Sequence, residues 1–491
     1  MGVNEMSIEL ENEYIELICT IYPDLAVTWG IPKCGYNDFT NWGIKQNINK
    51  LEQLLRKSKL QNANRNFRKS VELRIYELTS LYEYRYSAYY CYLIAIKPLL
   101  EVIESIDYYN VGMNEEVVIS RVRGFSKVIN KAINEIRIKK LSKLDLLYTK
   151  YLIKKDLDFL KSEILKEYSI DSVQQIYYSI ELFFNEIKTR LTEDNEKKFF
   201  SSWGAENLIN YLNKMTNKKN SCYLIETLYK EAMYEIIMNA EFNIFDIKKS
   251  AIQCNERELT KLFQEIYTKC KSIFGEEVNL LDSLNFIDTK DDKSIFGNFR
   301  YIKQPLTAVN MKSFLLYSSK NNIMSKEQLK LKVVHEIYPG HHYMNKCFDR
   351  TVRGNIYEMS RLNPYIEEGW AKFCEYFYAN EIECSDEIKK AYKRNKLLMN
   401  IMFIIAIDIH YFKCKKNDIY NKLVGKCGMT IEKINSMLLP INVDPSRALI
   451  YYMGYYYFYT YVNQRKKKDK ISIICKDIVN NYSGSVVKTK I

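Results

Sequence analysis

Three of the four histidines of this 491-residue chain lie within one run of eight residues, at His335, His341 and His342. Glu336 directly follows the first of them. Neutral imidazole nitrogens are common ligands of a catalytic zinc ion, and a neighbouring carboxylate can take a proton from its water. The run therefore predicts a zinc hydrolase centre with Glu336 as general base. A helix end whose histidines only cap and hydrogen-bond is the alternative, but it leaves Glu336 without a role.

The spacing of these histidines departs from the His-Glu-x-x-His pattern, in which both ligands share one helical face. His341 and His342 follow His335 by six and seven residues. Position i+7 of an ideal helix lies about 10.5 Å further along the axis, and zinc–nitrogen bonds of about 2.0–2.1 Å cannot span that rise. Pro339 and Gly340 predict a break in the helix at this point. The break would bring either His341 or His342 back toward the ion.

A second acidic segment supplies a candidate third ligand. Pro364 after Asn363 marks the start of a helix. Glu368 follows within it, and the glycine next to it permits close approach to a neighbouring helix. Glu368 would complete a three-ligand site with an open position for water. Glu375 lies seven residues further on and faces the same side, so a solvated acidic face is the alternative interpretation.

The elements that must position these residues are mostly helical. Ser325 and Gln328 form a capping-box pattern before the helix that carries His335. Residues 71–106 and 117–165 interleave Leu and Ile with Lys and Glu, which predicts long helices. The best strand candidate is residues 313–318, which we expect at the edge of a small sheet beside the zinc helix, where a substrate backbone can pair.

Domain organisation is predicted from length and from a soft boundary near residue 200. We expect an N-terminal helical region over residues 1–200 and a catalytic zinc-hydrolase region over residues 201–491, packed together as one unit. The chain holds only 16 glycines and 8 prolines, and it has no Ser/Gly-rich or Pro-rich spacer that would separate the two regions.

The motifs together resemble a known family. The string His-Glu-x-x-Pro-Gly-His-His at 335–342, followed by Glu-Gly-Trp-Ala at 368–371, resembles the domain-of-unknown-function 885 family, helical proteins grouped with the gluzincin metallopeptidases. Residues 445–454 are similar to the family's Pro-Gly-Gln-Ala-Leu-Ser-Tyr-Lys-Ile-Gly segment, and residues 23–38 to its opening. The resemblance implies a mainly α, large helical zincin-like (gluzincin) fold and a zinc-dependent peptidase or amide hydrolase.

The resemblance also implies roles for individual residues. In related gluzincins the second zinc histidine directly follows a glycine, which favours His341 over His342. The glutamate before Gly-x-Ala is the third ligand there and corresponds to Glu368. Tyr451 corresponds to the donor that stabilises the oxyanion. We assign His342 and Arg447 to substrate binding, since an arginine can hold a substrate carboxylate with two hydrogen bonds.

Several positions depart from the family pattern near the C-terminus. Ser446 and Arg447 stand in place of Gly and Gln, Ile450 and Tyr452 in place of Ser and Lys, and Phe373 in place of Tyr. These changes bear on substrate recognition more than on the metal. We therefore expect a zinc peptidase acting on short peptides, with carboxypeptidase action as one form. The alternatives are a specialised amide or peptide-tailoring hydrolase of a biosynthetic pathway and, third, a non-catalytic binding protein.

Composition argues against several other classes of protein. The net charge of +13 is spread over the chain, and only residues 465–470 form a dense basic run, so we expect no nucleic-acid partner. The longest apolar stretch, residues 397–407, is too short to span a bilayer, and no signal peptide is visible. The twelve cysteines show no Cys-x-x-Cys pair. We expect a cytoplasmic protein with reduced cysteines and no membrane partner.

Overall fold

The computed structural model describes most of the chain, and the statements below concern the described residues. These are residues 3–31, 33, 35–80, 87–100, 102, 115–138, 141–163, 170–192, 199–216, 222–239, 251–276, 279–289, 299–307, 311–320, 323–352, 364–427 and 429–480. They form a mainly helical fold with two small sheets, which confirms the predicted α class. Asn363, the predicted helix cap, lies outside them.

The helices run from one end of the described chain to the other. In chain order they are α1 (Val3–Ile21), α2 (Pro23–Trp29), α3 (Asn41–Leu60), α4 (Arg65–Ser80), α5 (Ala88–Ala95), α6 (Glu115–Ile138), α7 (Lys143–Glu163), α8 (Ile170–Thr192), α9 (Ala205–Thr216), α10 (Cys222–Met238), α11 (Glu256–Phe274), α12 (Lys326–Glu336), α13 (His341–Val352), α14 (Pro364–Phe377), α15 (Asp386–His410), α16 (Lys416–Cys427), α17 (Ile431–Val443), α18 (Ser446–Arg465) and α19 (Ile471–Asn480). A π-helical turn, Tyr378–Ile382, follows α14.

Helix α11 illustrates why these segments are helical. The Asn255 side chain accepts a hydrogen bond from the Glu258 backbone N–H and so caps the first turn. Apolar residues recur three and four positions apart along the helix, and this stripe is buried against the core. Gly275 ends the helix with a positive φ of 115°.

The sheets lie just before the metal-site helices in the chain. Strand β1 (Ala251–Gln253) pairs antiparallel with β5 (Ile323–Ser325). Strand β4 (Ser313–Tyr317) lies between β2 (Leu284–Asp288), to which it is parallel, and β3 (Phe299–Ile302), to which it is antiparallel. The predicted strand is therefore confirmed, but its predicted edge position is wrong. All five β4 residues are buried, as expected of a central strand, and β2 and β3 form the two edges of the sheet.

Each of the two long segments predicted to be helical contains a helix that begins at a serine cap. Ser87 accepts a hydrogen bond from the Tyr90 backbone N–H and begins α5. Ser142 accepts one from the Asp145 backbone N–H and begins α7. Because a serine side chain satisfies an otherwise unpaired N–H at a helix start, it favours a new helix over continuation of the previous one. The predicted helical character of 71–106 and 117–165 is confirmed for the described residues, which belong to more than one helix in each range.

Three hydrophobic clusters account for most of the buried core. The largest combines Leu144 with residues from 208 to 479 and surrounds the candidate ligands. The second draws on residues from 39 to 187, and the third on residues from 10 to 78 together with Leu306. The predicted domain boundary near residue 200 stays a prediction. Within the described residues, none of the helices has the length and apolar character to cross a bilayer.

Helices α14 and α18 approach each other at a pair of glycines. A β-carbon built on Gly369 would lie 2.5 Å from the Gly454 backbone, and one built on Gly454 would lie 2.3 Å from the Tyr365 carbonyl oxygen. Real β-carbons do not approach backbone atoms so closely, so only glycine fits at either position. This contact explains the Glu-Gly-Trp-Ala glycine as a packing requirement.

Alanine at Gly369 is expected to destabilise the protein by about 3 kcal/mol, because two helix backbones must separate to admit one methyl group. The measurement is the denaturant midpoint of unfolding. Gly425 of α16 is the matched control, since nothing lies within 4 Å of the position that a β-carbon would take there. Alanine at Gly425 should stabilise the helix by about 0.5–1 kcal/mol. Equal effects at the two sites would contradict the packing argument.

Candidate metal centre

The two candidate histidine ligands lie on different helices, joined by the predicted break. Helix α12 ends at Glu336 and α13 begins at His341, which confirms the break. Gly340 allows the chain to turn back on itself, because a β-carbon there would lie 1.8 Å from the His335 carbonyl oxygen. The Trp370 indole N–H donates to the Pro339 carbonyl oxygen at 2.8 Å and fixes the connection against α14.

Three predicted ligands converge on one point. His335 Nε2 lies 3.3 Å from Glu368 Oε2, and His341 Nε2 lies 3.5 Å from the same oxygen. The ligand atoms of all three residues lie within 4.8 Å of one another. The two imidazole rings are nearly perpendicular, at 87° with centroids 4.8 Å apart. His341, not His342, is therefore the second histidine of the cluster.

The donor set fits a divalent cation on two grounds. Tetrahedral bonds of about 2.0–2.1 Å place neighbouring ligand atoms about 3.3 Å apart, close to the two observed separations. Glu368 Oε2 is also buried, and the imidazole nitrogens 3.3 and 3.5 Å away make no well-aligned hydrogen bond with it. A buried carboxylate oxygen without a partner is costly unless a cation satisfies it. Two imidazoles and one carboxylate are the ligand types that zinc accepts.

The electrostatics of the cluster favour positive charge. Burial opposes protonation of His341, but Glu368 and Glu336 outweigh it and raise the pKa of His341 to about 9. Burial likewise opposes ionisation of Glu368, yet His341 and His335 hold the pKa of that carboxyl well below its usual range. The carboxylate is therefore ionised. A metal ion bound here would replace the proton on His341.

Glu375 orients His335, a role that we did not predict. His335 Nδ1–H donates to Glu375 Oε1 at 2.7 Å, and Nε2, on the other side of the ring and 3.3 Å from Glu368 Oε2, is the nitrogen available to a metal ion. Glu375 is 2% exposed, and its carboxylate also accepts from Lys372 at 2.7 Å and from Asn395 at 3.0 Å. Burial opposes its ionisation, but Lys372 and His335 hold the pKa of Glu375 far below its usual range. In the sequence, the only indication of this role was that Glu375 follows Glu368 by seven residues and so lies on the same face of the helix.

Glutamine at Glu375 is expected to weaken zinc binding about 10- to 100-fold, because the carboxylate that makes His335 a stronger ligand loses its charge. Competition with a zinc chelator measures the affinity. Glutamine at Glu381 is the control, since that carboxylate pairs with Lys466 at the surface. An unchanged affinity in the Glu375 variant would remove Glu375 from the metal centre.

Glu336 lies beside the ligand cluster and is held by the edge strand. The Tyr301 backbone N–H of β3 donates to Glu336 Oε2 at 3.0 Å. Glu336 is 7% exposed and lies close enough to His341 to contribute to its raised pKa. A carboxylate fixed by one oxygen retains the other for a proton, as a general base requires. The contact with Tyr301 was not predicted from the sequence.

Tyr451 projects from α18 toward the same cluster. Burial, together with the carboxylates of Glu368 and Glu336, raises the pKa of Tyr451 well above its usual value, so the phenol keeps its proton. The Lys372 ammonium lies 5.8 Å from the centroid of the Tyr451 ring. Lys372 therefore contacts both the predicted donor and Glu375. A protonated phenol next to the ligands can donate to a developing oxyanion.

The two remaining histidines are buried away from the cluster. His342 is fully buried, and its Nε2–H donates to the Leu280 carbonyl oxygen at 3.0 Å. Burial lowers the pKa of His342 to about 3, so it stays neutral. His410 contacts the Ile441 carbonyl oxygen at 2.9 Å and the Trp203 backbone N–H at 3.3 Å. Asp408, two residues before His410, pairs with Lys422.

Arg447 lies at the start of α18, one helical turn before Tyr451. Its side chain is exposed, and it makes no hydrogen bond or ion pair with the described residues. The other departures from the family pattern are different, because Ile450, Tyr452 and Phe373 are buried in the core. Tyr452 stacks on Phe403 with centroids 4.0 Å apart. Of these positions, Arg447 and the partly exposed Ser446 are open to solvent.

Comparison with protein families agrees with the resemblance over the C-terminal part of the chain. Residues 283–471 match the family described as "Bacterial protein of unknown function (DUF885)". This range includes all of the candidate ligands, Glu336, Arg447 and Tyr451. Residues 23–38, where we noted a further resemblance, lie outside it. A search of curated proteins finds no match to this chain.

Solved structures share the fold over nearly the whole chain. A candidate lipoprotein of unknown function from Shewanella oneidensis superposes with a TM-score of 0.68 at 12% identity, covering 99% of this chain and 98% of that chain. A candidate lipoprotein from Colwellia psychrerythraea gives 0.67 at 12% identity, covering 98% of this chain and 97% of that one. At this identity the likeness shows a common fold alone.

Proposed function

We propose that this protein is a zinc-dependent hydrolase of amide bonds in short peptides, with a gluzincin-type centre. The observation that carries the proposal is the convergence of His335, His341 and Glu368, with a buried carboxylate oxygen that makes no well-aligned hydrogen bond with the described residues. Glu336 and Tyr451 lie beside this cluster and have the protonation chemistry that amide hydrolysis needs.

The proposed mechanism divides the work among these residues. His335, His341 and Glu368 would hold the ion, which when bound supplies a Lewis acid that makes water more acidic and a carbonyl more electrophilic. Glu336 accepts the proton of the attacking water and passes it to the leaving nitrogen. The Tyr451 hydroxyl donates to the carbonyl oxygen as negative charge develops there. Edge strand β3 offers backbone groups for pairing with a peptide.

A specialised amide-tailoring hydrolase is the second candidate. It uses the same residues on a non-standard substrate, and the exposed Arg447 favours it because that residue departs from the family pattern at the open side of the site. A non-catalytic binding protein would not need Glu336 and Tyr451 beside the ligands. Cytoplasmic location stays a prediction, and the two proteins of similar fold, both named as candidate lipoproteins, favour an envelope location instead.

Metal analysis combined with peptide hydrolysis tests the proposal. We expect about one zinc per chain, and mass spectrometry of a mixed peptide library should show cleavage that stops on chelation and returns with zinc. Retained cleavage after complete removal of metal would contradict zinc-dependent hydrolysis. Stoichiometric zinc without cleavage of any peptide or amide in the library would favour the binding protein.

A further inference from the structure

Arg447 occupies a position that its helix does not favour. It lies in the first turn of α18, where the partial positive charge of the helix N-terminus opposes a cation. The nearest acid, Asp444, raises the pKa of Arg447 further but is committed elsewhere, since its Oδ1 accepts from the Ser446 backbone N–H at 3.0 Å and from the Ser446 hydroxyl. An exposed guanidinium that makes no hydrogen bond or ion pair with the described residues is suited to an external anion.

Two tyrosines from the N-terminal region border this guanidinium. Tyr89 and Tyr148 both lie within electrostatic reach of Arg447, and their rings are 5.3 Å apart. Both are half-buried. Tyr89 belongs to α5 and Tyr148 to α7, so two helices of the N-terminal region bring phenol groups near the guanidinium. Tyr451 of α18 also lies within electrostatic reach of Arg447.

The backbone under Tyr89 is fixed by a buried acid. Asp145 is 1% exposed, and its two carboxylate oxygens accept from the backbone N–H groups of Ala88 at 2.8 Å and Tyr89 at 3.0 Å. The start of α7 is in turn held against the end of α17, since Asn442 donates to the Ser142 hydroxyl at 3.4 Å. The tyrosines are therefore positioned relative to Arg447 by hydrogen bonds on both sides.

The distance from Arg447 to the metal centre suits a short substrate segment. Residues four apart on a helix lie about 6 Å from each other at their β-carbons, and Arg447 and Tyr451 are such a pair. An extended chain covers about 3.3–3.6 Å per residue. If Arg447 holds one group of a bound peptide, the peptide carbonyl that accepts the Tyr451 hydrogen bond is therefore one or two peptide residues away.

We propose that Arg447, bordered by Tyr89, Tyr148 and Tyr451, binds the free C-terminal carboxylate of a peptide, so that the protein is a carboxypeptidase. The inference rests on the proposed function and adds the end of the substrate that is recognised. Water adds across the amide one or two residues from the C-terminus, the C–N bond breaks, and a C–O bond forms. The leaving nitrogen takes a proton, and one amino acid or a dipeptide is released.

Binding of a matched acid and amide tests this proposal without reliance on turnover. The probes are acetyl-Ala-Phe and acetyl-Ala-Phe-amide, titrated calorimetrically into the zinc-treated Glu336→Gln protein. We expect the acid to bind about 10- to 100-fold more tightly, the range for a hydrogen-bonded charge pair. Arg447→Gln should reduce this ratio to near one, and Arg447→Lys should retain part of it because lysine keeps the charge and loses the paired geometry.

A charge-matched control separates recognition from net charge. Arg56 is 77% exposed on α3 and pairs with Glu52, so Arg56→Gln should leave the acid-to-amide ratio unchanged. Equal affinity for acid and amide, or no detectable binding of either, overturns the carboxylate subsite. If the native protein holds no zinc or hydrolyses no peptide, the proposed function is wrong. The ratio of the affinities for the acid and the amide tests the carboxylate subsite independently of that result.

Discussion

Glutamine in place of Glu336 is expected to lower kcat about 100- to 10,000-fold, the contribution of a general acid–base group, while zinc content stays at about one per chain. The amide is nearly isosteric and can still accept the Tyr301 backbone N–H through its oxygen, so the edge strand should keep its position. What is lost is a carboxylate that accepts the proton of water and returns it to the leaving nitrogen. Steady-state kinetics and metal analysis on the same preparation give both quantities.

Glu327 provides the control for that experiment. It lies in the first turn of the same helix, α12, and is half-buried. Glutamine there should leave kcat within about two-fold, because the residue lies about two turns from the ligands. Two outcomes would reject the assignment of Glu336 as base: turnover that survives in the Glu336 variant, or loss of zinc together with loss of turnover.

Neighbouring histidines should respond to alanine in opposite ways. His341→Ala removes a ligand, and since structural zinc sites with about four ligands gain about 10–16 kcal/mol on binding, we expect affinity to fall about 100- to 1,000-fold. His342→Ala leaves the ligand set intact but removes a buried ring and strands the Leu280 carbonyl. It should lower stability by about 2 kcal/mol and leave zinc affinity nearly unchanged.

Chelator competition and denaturant unfolding of the zinc-free proteins measure these two effects separately. Each variant serves as the control of the other, because both remove an imidazole from the first two positions of α13. If His342→Ala lost the metal and His341→Ala kept it, the ligand set described above would be wrong. A large loss of zinc-free stability in His341→Ala would indicate that His341 serves packing as well.

Spacing in the sequence was enough to predict the break at Pro339–Gly340 and the approach of Glu368. Both follow from short-range rules: a proline and a glycine stop a helix, and bond lengths to a metal limit where ligands can lie. The choice between His341 and His342 did not follow from these rules. That choice depends on the direction of the chain after the break. The family resemblance favoured His341, and His341 is the histidine that lies in the cluster.

Other features depend on contacts between distant segments and could not be read from local patterns. Glu375 was noted for its spacing, but its bond to His335 depends on how α14 packs against α12. The central position of β4 depends on its pairing with both β2 and β3, and neither pairing can be read from the β4 residues alone. Tyr89 and Tyr148 lie within electrostatic reach of Arg447, and no motif predicted a role for their part of the chain.

The paired glycines at 369 and 454 have a consequence for engineering. Glu368 directly precedes the first, and Tyr451 lies three residues before the second. The width of this backbone crossing therefore sets the gap between an acid ligand and the phenol, independently of either side chain. To transfer this centre into another scaffold, both helices must be moved together with the glycine contact between them. Replacing one helix with a segment from a related protein would change the distance between the two helix backbones. The distance between the ligand and the phenol would then change even if every reactive residue were kept.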